Sequence, residues 1–325
     1  MSKAIRIHQY GGPEVLCWED VDVGDPGPGQ LRIRHGAVGL NYIDVYHRTG
    51  LYPLPSLPWI LGMEGAGRVE AVGDGVTEFK IGDRVAYASP PVGAYAEVRL
   101  IAADRVVALP EAIDDRTAAA MMLQGMTAQY LLRRTYRVQP GDVILLHAAA
   151  GGVGLIASQW ARQLGATVIG TVGSDDKAEL ARAHGCRHVI VYTRENFVER
   201  VRELTDGRGV AVVYDSVGQA TFMGSLDCLR PLGMMVSFGN ASGPVPPFDP
   251  GLLAAKGSLF LTRPTLMTYT AQRADLVASA AELFEVIASG AVKVEIHQTY
   301  PLAEAAQAHR DLEARRTTGS TVLLP

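Results

Sequence analysis

The sequence predicts an α/β protein in which a doubly wound parallel sheet accompanies a second, strand-rich domain. From Val143 onward, apolar strand-like runs alternate with helix-like segments, a pattern typical of a parallel sheet covered on both faces. Residues 1 to about 120 instead show short strands with frequent turns, as in a compact barrel. A chain of 325 residues also has the length of about two domains.

The strand-rich part starts near the N-terminus, where residues 4–7 and 15–23 indicate two strands. In residues 30–39, Leu31 and Ile33 alternate with arginines, which predicts a half-buried strand. Further strands are expected at 65–72, 84–88 and 94–100, and two helices at 114–122 and 126–134.

The second half alternates regularly between the two kinds of element. Strands are expected at 143–146, 167–172, 189–191, 211–214 and 234–238, and helices at 177–184, 197–205 and 220–229. A helix over 274–289, strands over 292–300 and 320–323 and a helix over 303–315 are expected to return to the first domain. The active cleft is then expected between the two domains.

A strand, a small-residue turn and a helix start follow one another over residues 143–154. Ala149, Gly151 and Gly154 match a dinucleotide-binding glycine pattern in which Ala replaces the first glycine. Alone, this pattern is a weak signal, because a tight strand-to-helix turn without a ligand can also produce it. Its place in a strand–helix–strand frame favours backbone N–H groups that hold a pyrophosphate.

The segment after the next strand indicates which dinucleotide binds. An NAD site places Asp or Glu there to hold the ribose 2′-OH, but Gly173 occupies this position. Asp175 and Asp176 read as the start of the following helix. Ser174 and Lys177 suit a 2′-phosphate, because a dianion needs donors and positive charge. We therefore expect NADPH rather than NADH; the alternative for Lys177 is a solvated helix lysine.

Composition argues against several classes of protein. The net charge of −4 and the pI near 6.1 count against a nucleic-acid partner. The cysteines Cys17, Cys186 and Cys228 form no C-x-x-C pair, so neither a disulfide framework nor a zinc knuckle is expected. The sequence shows no signal-peptide pattern and no apolar stretch of membrane-spanning length. A cytoplasmic protein without membrane contact is expected.

The chain resembles the zinc-free quinone oxidoreductases of the medium-chain dehydrogenase/reductase superfamily. Five motifs in the expected order, spread over nearly the whole chain, carry the resemblance: residues 41–53, 61–67, 124–128, 147–154 and 315–320. The resemblance implies NADPH as cofactor and a homodimer. It also implies a Rossmann dinucleotide-binding domain over residues 123–262 and a GroES-like β-barrel-type substrate domain formed by residues 1–122 and 263–325.

The resemblance further implies roles for individual residues. The positions that match cofactor contacts are Ala150, Gly151, Gly152 and Val153 for the pyrophosphate, Ser174, Lys177 and Tyr192 for the adenosine 2′-phosphate, Phe238, Asn240, Phe260 and Thr262 for the nicotinamide and its ribose, and Arg315 as a phosphate-reaching arginine. The positions that match catalytic or substrate-cleft residues are Asn41, Asp44, Tyr46, Tyr52, Gln124 and Thr127.

No metal site is expected. Zinc members of the superfamily hold the metal with Cys, His and Glu, but Met63 and Asn41 stand where a His and a Cys would be. A thioether and an amide are poor Zn²⁺ ligands. His35 and His47 are expected to be hydrogen-bonded structural residues, and Glu64 to serve structure or a hydrogen bond.

Without a Lewis acid, the acceptor must be intrinsically electrophilic, and quinones fit this requirement. Asn41 or Tyr52 could donate a hydrogen bond to a developing oxyanion, and Tyr46 could pack on a flat ring. For the tyrosines, wall packing without a role in turnover is the alternative. Two other functions stay open: reduction of α,β-unsaturated carbonyls with NADPH, and an NADPH-binding structural or nucleic-acid-associated protein with little turnover.

Overall fold

The computed structural model describes residues 2–325. The strands in this range are β1 (Ser2–Ile7), β2 (Cys17–Val21), β3 (Gln30–Leu40), β4 (Trp59–Ile60), β5 (Glu64–Val72), β6 (Arg84–Ala88), β7 (Val98–Ala102), β8 (Val107–Ala108), β9 (Val143–Leu146), β10 (Thr167–Val172), β11 (Cys186–Val191), β12 (Val210–Asp215), β13 (Leu229–Ser237), β14 (Phe260–Thr262), β15 (Ile296–Pro301) and β16 (Ser320–Leu324). The α-helices are α1 (Tyr42–Thr49), α2 (Asp115–Tyr130), α3 (Gly152–Gln163), α4 (Asp175–Ala183), α5 (Phe197–Leu204), α6 (Phe222–Cys228), α7 (Gly251–Ala255), α8 (Leu266–Tyr269), α9 (Arg273–Ala288) and α10 (Ala305–Glu313). None of the helices within residues 2–325 combines the length and the apolar character that a membrane crossing requires.

The chain forms two compact units. The first runs to Met126 and adds Thr270–Phe284 and Val294–Pro325, and the second comprises Thr127–Tyr269 and Glu285–Lys293. Two of the four divisions fall inside helices, one in α2 and one in α9. The domain limits expected from the sequence, 1–122 with 263–325 and 123–262, stay a prediction.

The first unit is built on a mixed sheet in the order β15-β16-β3-β5-β6-β8, with β7 also paired to β3. Along the central strand β3, Leu31 and Ile33 are buried while Arg34 is exposed, so the predicted alternation is confirmed. From residue 37 to residue 40 every side chain or backbone position is buried, because the end of β3 is covered on both faces. The strand predicted over 94–100 begins only at Val98.

Three elements come into close contact where β3 ends. A Cβ atom on Gly39 would overlap the Ala119 carbonyl oxygen of α2 and the carboxylate of Glu64 on β5. Glycine at this position therefore lets the helix and both strands approach one another. The close approach brings Asn41, two residues further on, beside the Glu64 side chain.

The second unit contains a six-stranded sheet in the order β11-β10-β9-β12-β13-β14, and every neighbouring pair is parallel. Its central strands contribute fully buried apolar side chains, among them Leu145, Ile169 and Val213. The predicted parallel sheet is thus confirmed. Because all the strands run the same way, the loops that follow them emerge at one edge of the sheet.

The prediction of two separate helices over 114–122 and 126–134 is wrong. A single helix, α2, spans most of this stretch and ends in a π-helical turn, Leu131–Thr135. Gly125 does not interrupt it, because the Leu283 side chain packs where a Cβ atom would otherwise lie. Tertiary packing therefore outweighs the weak helix propensity of glycine here.

Candidate active site

Asn41 and Asp44 lie where strand β3 passes into helix α1. Asn41 is the N-cap residue of α1, and its backbone N–H donates a 2.8 Å hydrogen bond to Asp44 Oδ2 in the first turn. This acidic residue three positions into the helix satisfies a backbone donor that the helix itself leaves unpaired.

The Asn41 side-chain amide is held at both of its polar atoms. Its Nδ2 donates a 2.5 Å hydrogen bond to Glu64 Oε1, and its Oδ1 accepts a 3.1 Å bond from Gln124 Nε2. Gln124 is oriented in turn by Ser320, whose hydroxyl donates to Gln124 Oε1 at 2.7 Å. Because Nδ2 carries two hydrogens and Glu64 takes one, the amide keeps a second N–H for another acceptor.

Glu64 is fully buried and accepts hydrogen bonds at both oxygens. Besides the Asn41 amide, the Leu123 backbone N–H donates to Glu64 Oε2 at 2.6 Å. Burial raises the pKa of Glu64 to about 8, since a buried charge is poorly solvated, and the two donors offset only part of this effect. Near neutral pH the carboxyl group is therefore mostly protonated.

Asp44 belongs to a second buried chain of polar groups. The Tyr95 hydroxyl donates to Asp44 Oδ2 at 3.0 Å and lies 3.1 Å from His309 Nε2. Arg48 approaches His309 Nδ1 at 3.0 Å and makes a bidentate pair with Glu313 at 2.8 and 2.9 Å. Burial raises the pKa of Asp44 to about 7 and lowers the pKa of His309 to about 3, so this histidine is neutral.

Tyr46 and Tyr52 pack against each other. Their ring centroids are 5.2 Å apart in an edge-on arrangement, and the Tyr52 N–H donates to the Tyr46 carbonyl oxygen at 3.1 Å. Tyr46 is buried and Tyr52 half-buried. Packing against each other accounts for the positions of both rings. A direct role of either tyrosine in turnover stays a prediction.

The donor set around Asn41 is unsuited to zinc. Met63 is buried and offers only a thioether. Both nitrogens of His35 are engaged, with the Ala96 carbonyl oxygen and the Tyr87 hydroxyl at 2.6 Å each, so this histidine is hydrogen-bonded as expected. His47 differs, because its buried Nδ1 has no hydrogen-bond partner. Across residues 2–325, no three or more His, Cys, Asp or Glu side chains group in a way that could hold a metal ion.

In the second unit, the predicted pyrophosphate turn follows strand β9. Gly151 is the N-cap residue of α3, and the first turn of that helix presents N–H groups that have no acceptor within the helix. A Cβ atom on Gly154 would overlap the Ala148 carbonyl oxygen, which explains the glycine there. Ala149 replaces the first glycine of the usual pattern, and Gly170 on the neighbouring strand accommodates it, because a Cβ atom there would lie 2.7 Å from the Ala149 methyl group.

The residues predicted to face the 2′-phosphate lie at the ends of two adjacent strands. Ser174 follows β10 as the N-cap residue of α4, and Lys177 is in the first turn of that helix. Tyr192 follows β11, is 43% exposed, and places its hydroxyl 2.8 Å from where a Cβ atom on Gly173 would lie. The structure thus brings these segments together, although they are separated in the sequence.

The remaining predicted cofactor residues are spread over both units. Phe238 and Asn240 follow strand β13, and Phe260 and Thr262 lie on β14, the edge strand beside it. Phe260 is 57% exposed. Arg315 follows α10 in the first unit, with a left-handed φ of 59°. Thr127, which was predicted for the substrate cleft, lies in the second unit and hydrogen-bonds to Tyr130 on the same helix. The roles of all these residues stay predictions.

Sequence reasoning assigned no role to Ser320, Tyr95 or His309, which complete the two buried hydrogen-bond chains. Ser320 ends the C-terminal motif of the resemblance, which was the one available signal. Along the chain, Ser320 lies 196 positions from Gln124, Tyr95 lies 51 from Asp44, and His309 lies 261 from Arg48. No local sequence pattern connects residues so far apart.

Two family models match the chain. The "Zinc-binding dehydrogenase" model matches residues 152–284, and the "Alcohol dehydrogenase GroES-like domain" model matches residues 27–111. The GroES-like domain and the Rossmann-type sheet expected from the resemblance are thereby confirmed.

Relatives and solved structures match over the full length. The quinone oxidoreductase of Pseudomonas aeruginosa is 57% identical over 325 residues, which cover 100% of both chains. The 2-haloacrylate reductase of a Burkholderia species is 49% identical, covering 100% of this chain and 99% of its own. The crystal structure of Escherichia coli quinone oxidoreductase complexed with NADPH matches with a TM-score of 0.98 and 50% identity, covering 99% of this chain and 100% of its own.

Replacing Glu64 should change how stability depends on pH. The pKa of this carboxyl is about 8 in the folded state and 4.5 in its ordinary state. Between these values the folded protein holds a proton that the unfolded chain releases, so the free energy of unfolding falls as pH rises, by at most about 1.4 kcal/mol per pH unit. Urea denaturation of E64Q between pH 5 and pH 8 should show a shallower fall than the wild type.

The exposed Glu179→Gln variant on helix α4 serves as the control and should keep the wild-type pH dependence. Asp44 shifts in the same direction, so a residual slope is expected in E64Q. An E64Q slope equal to that of the wild type would contradict the raised pKa of Glu64.

Proposed function

Because the chain belongs to the quinone oxidoreductases of the medium-chain dehydrogenase/reductase superfamily, we propose that it reduces small quinones with NADPH and without a metal ion. The observation that carries the proposal is the buried Asn41 amide, held between Glu64 and Gln124 where zinc members of the superfamily carry metal ligands. Full-length identity of 57% to the P. aeruginosa quinone oxidoreductase supports the same substrate class.

The second unit fits a phosphorylated dinucleotide. The N–H groups at the start of α3 suit the pyrophosphate, and Gly154 and Gly170 provide the close packing on which that turn depends. Ser174, Lys177 and Tyr192 supply hydroxyls and a cation for the 2′-phosphate. Bound NADPH supplies the reducing equivalents. The further cofactor contacts that we propose are Ala150, Gly151, Gly152, Val153, Phe238, Asn240, Phe260, Thr262 and Arg315.

Asn41 acts on the acceptor in this proposal. Its second Nδ2 hydrogen donates to a quinone oxygen, where negative charge develops during reduction, and an aligned buried donor of this kind contributes about 2–4 kcal/mol. Gln124 and Glu64 hold the amide, so the donor does not need to reorient. Since the pKa of Glu64 is about 8, the group adds little negative charge beside the oxyanion at neutral pH.

The kind of acceptor follows from the side chains at the positions where zinc members hold their metal. In zinc members of the superfamily a Lewis acid activates the alcohol or simple ketone, and the Met63 thioether and Asn41 amide are poor ligands for such a metal. A quinone needs none, because its reduction gives an aromatic hydroquinone anion that water can protonate. Asp44, Tyr46, Tyr52 and Thr127 complete the set of residues that we propose for the substrate site.

Reduction of an α,β-unsaturated carbonyl is the second candidate. The 2-haloacrylate reductase, 49% identical over the full length, is named for a substrate of that class. The same Asn41 hydrogen bond would stabilise an enolate oxygen, but this chemistry also needs a proton at the α-carbon. A binding protein with little turnover is the remaining alternative, and the acidic balance counts against a nucleic-acid partner.

We further propose a cytoplasmic homodimer. The edge strand β14 carries Phe260 and Leu261, 57% and 37% exposed, on the open side of the parallel sheet. An exposed apolar edge strand is a surface that a second chain can cover.

Substrate assays test the proposed activity directly. Purified protein should oxidise NADPH with 1,2- and 1,4-quinones faster than with 2-alkenals, should prefer NADPH to NADH, and should be insensitive to a chelator. Faster turnover of 2-alkenals would favour the second candidate. Stabilisation by NADPH in a thermal shift without turnover of any electrophile would favour the binding protein. Equal use of both cofactors, or inactivation by the chelator, would contradict the proposal.

Removing the Asn41 amide should lower kcat/KM for 1,4-benzoquinone by about a hundredfold, because one aligned oxyanion donor is lost. The dissociation constant of NADPH should not change, since Asn41 is not among the proposed cofactor contacts. Steady-state kinetics of N41A measure the effect, and Gln163→Ala at the exposed end of α3 is the control. An N41A rate within threefold of wild type would rule out this hydrogen bond as the main contribution.

Light scattering after gel filtration should give the mass of a dimer for the wild-type protein. The variant Leu261→Lys should shift this mass toward the monomer, because a charge on the edge strand opposes pairing with another chain. A lysine at Val277, an exposed apolar residue on α9, is the matched control and should leave the mass unchanged. A monomeric wild-type protein would refute the dimer.

A further inference from the structure

We infer that Arg194 makes the cofactor site selective for the phosphorylated dinucleotide by neutralising Asp175. The inference rests on the proposed use of NADPH. It concerns the loops that follow strands β10 and β11, and it gives a role to two residues that neither the glycine pattern nor the expected 2′-phosphate contacts include.

Two side-chain contacts fasten these loops together. Arg194 donates from Nη1 and Nη2 to the two carboxylate oxygens of Asp175, each at 2.6 Å. The neighbouring Thr193 hydroxyl donates to the Gly173 carbonyl oxygen at 3.2 Å. The Tyr192 backbone N–H adds a third bond, to the Val172 carbonyl oxygen at 3.1 Å. Residues from the second loop are thus held against the segment that contains Ser174.

The negative charge of Asp175 would oppose a bound phosphate, and the positive charge of Arg194 compensates it. Asp175 is the first residue of α4, between Ser174 and Lys177, so its carboxylate lies in the segment proposed to hold a phosphate dianion. The hydrogen bonds from Arg194 hold the pKa of Asp175 below its usual value, which keeps the group ionised at neutral pH. An ionised carboxylate repels a phosphate unless a cation compensates it. The bidentate guanidinium provides that compensation.

A role in stability does not account for this pair. Asp175 and Arg194 are 67% and 57% exposed, and ion pairs at such positions contribute little to folding. An effect on a charged ligand is expected instead, because the pair determines the local charge next to the predicted 2′-phosphate position. That effect is electrostatic, so salt should screen it.

Binding of the two cofactors to single and double variants tests the inference. Dissociation constants of NADPH and NADH would be measured by calorimetry at low ionic strength for the wild type, R194A, D175N and the R194A/D175N double variant. R194A should weaken NADPH binding about tenfold, the effect of one uncompensated charge near a dianion, and leave NADH binding unchanged within about twofold. The double variant should bind NADPH within about threefold of the wild type, since the repelling charge is gone.

Two controls separate this role from general effects. Arg208→Ala breaks the exposed pair with Asp206. Asp206 precedes β12, so it lies at the opposite end of the parallel strands from the loops that follow β10 and β11, and the variant should leave both dissociation constants unchanged. In 1 M salt the ratio of the R194A and wild-type constants for NADPH should fall toward one, because the screening length is then about 3 Å. A merely structural role for Arg194 would not depend on salt in this way.

Three results would overturn the inference. The first is an R194A variant that binds NADPH as the wild type does. The second is a double variant as weak as R194A, which would mean that Arg194 itself binds the phosphate. The third is a tenfold effect that persists in 1 M salt. A wild-type protein without preference for NADPH would overturn the proposed cofactor as well, so the two failures are distinguishable.

Discussion

The first unit depends on how one fully buried carboxyl group, Glu64, is satisfied. A buried carboxyl without partners costs several kcal/mol, and in this protein two donors meet it, the Asn41 amide and the Leu123 N–H. These bonds join the end of β3, the start of β5 and the middle of α2. Gly39 permits that junction, because a side chain there would separate the three elements. The orientation of Asn41, on which the proposed chemistry depends, is a consequence of this junction.

The second unit follows a different constraint, the common direction of its strands. Every strand of the six-stranded sheet ends at the same edge, so Gly151, Ser174 and Tyr192 are brought together from three separate loops. The substitution of Ala149 in the glycine pattern is compatible with the fold because Gly170 leaves room on the neighbouring strand. A departure from the motif in the turn after β9 is thus compensated by a residue 21 positions later, on strand β10.

The spacing of apolar residues predicted most of the helices and strands. A half-buried strand buries every second residue, whereas a helix buries every third or fourth. The alternation around Leu31 and the apolar runs of the parallel sheet gave strands that the structure contains. The division of α2 into two helices was wrong, since the contact of Leu283 with Gly125 comes from a distant segment. The same limit applies to Ser320 and His309, whose partners no local pattern could identify.

The α/β architecture, the glycine turn and the residue types at the positions where zinc members hold their metal could be read from local spacing and side-chain chemistry. How those residues are held could be seen only in the folded chain. It showed that Glu64 and Gln124 orient the Asn41 amide and that Arg194 pairs with Asp175. These contacts join residues that are 19 to 83 positions apart in the sequence. Their geometry arises from packing between helices and strands rather than from the order of residues within a single element.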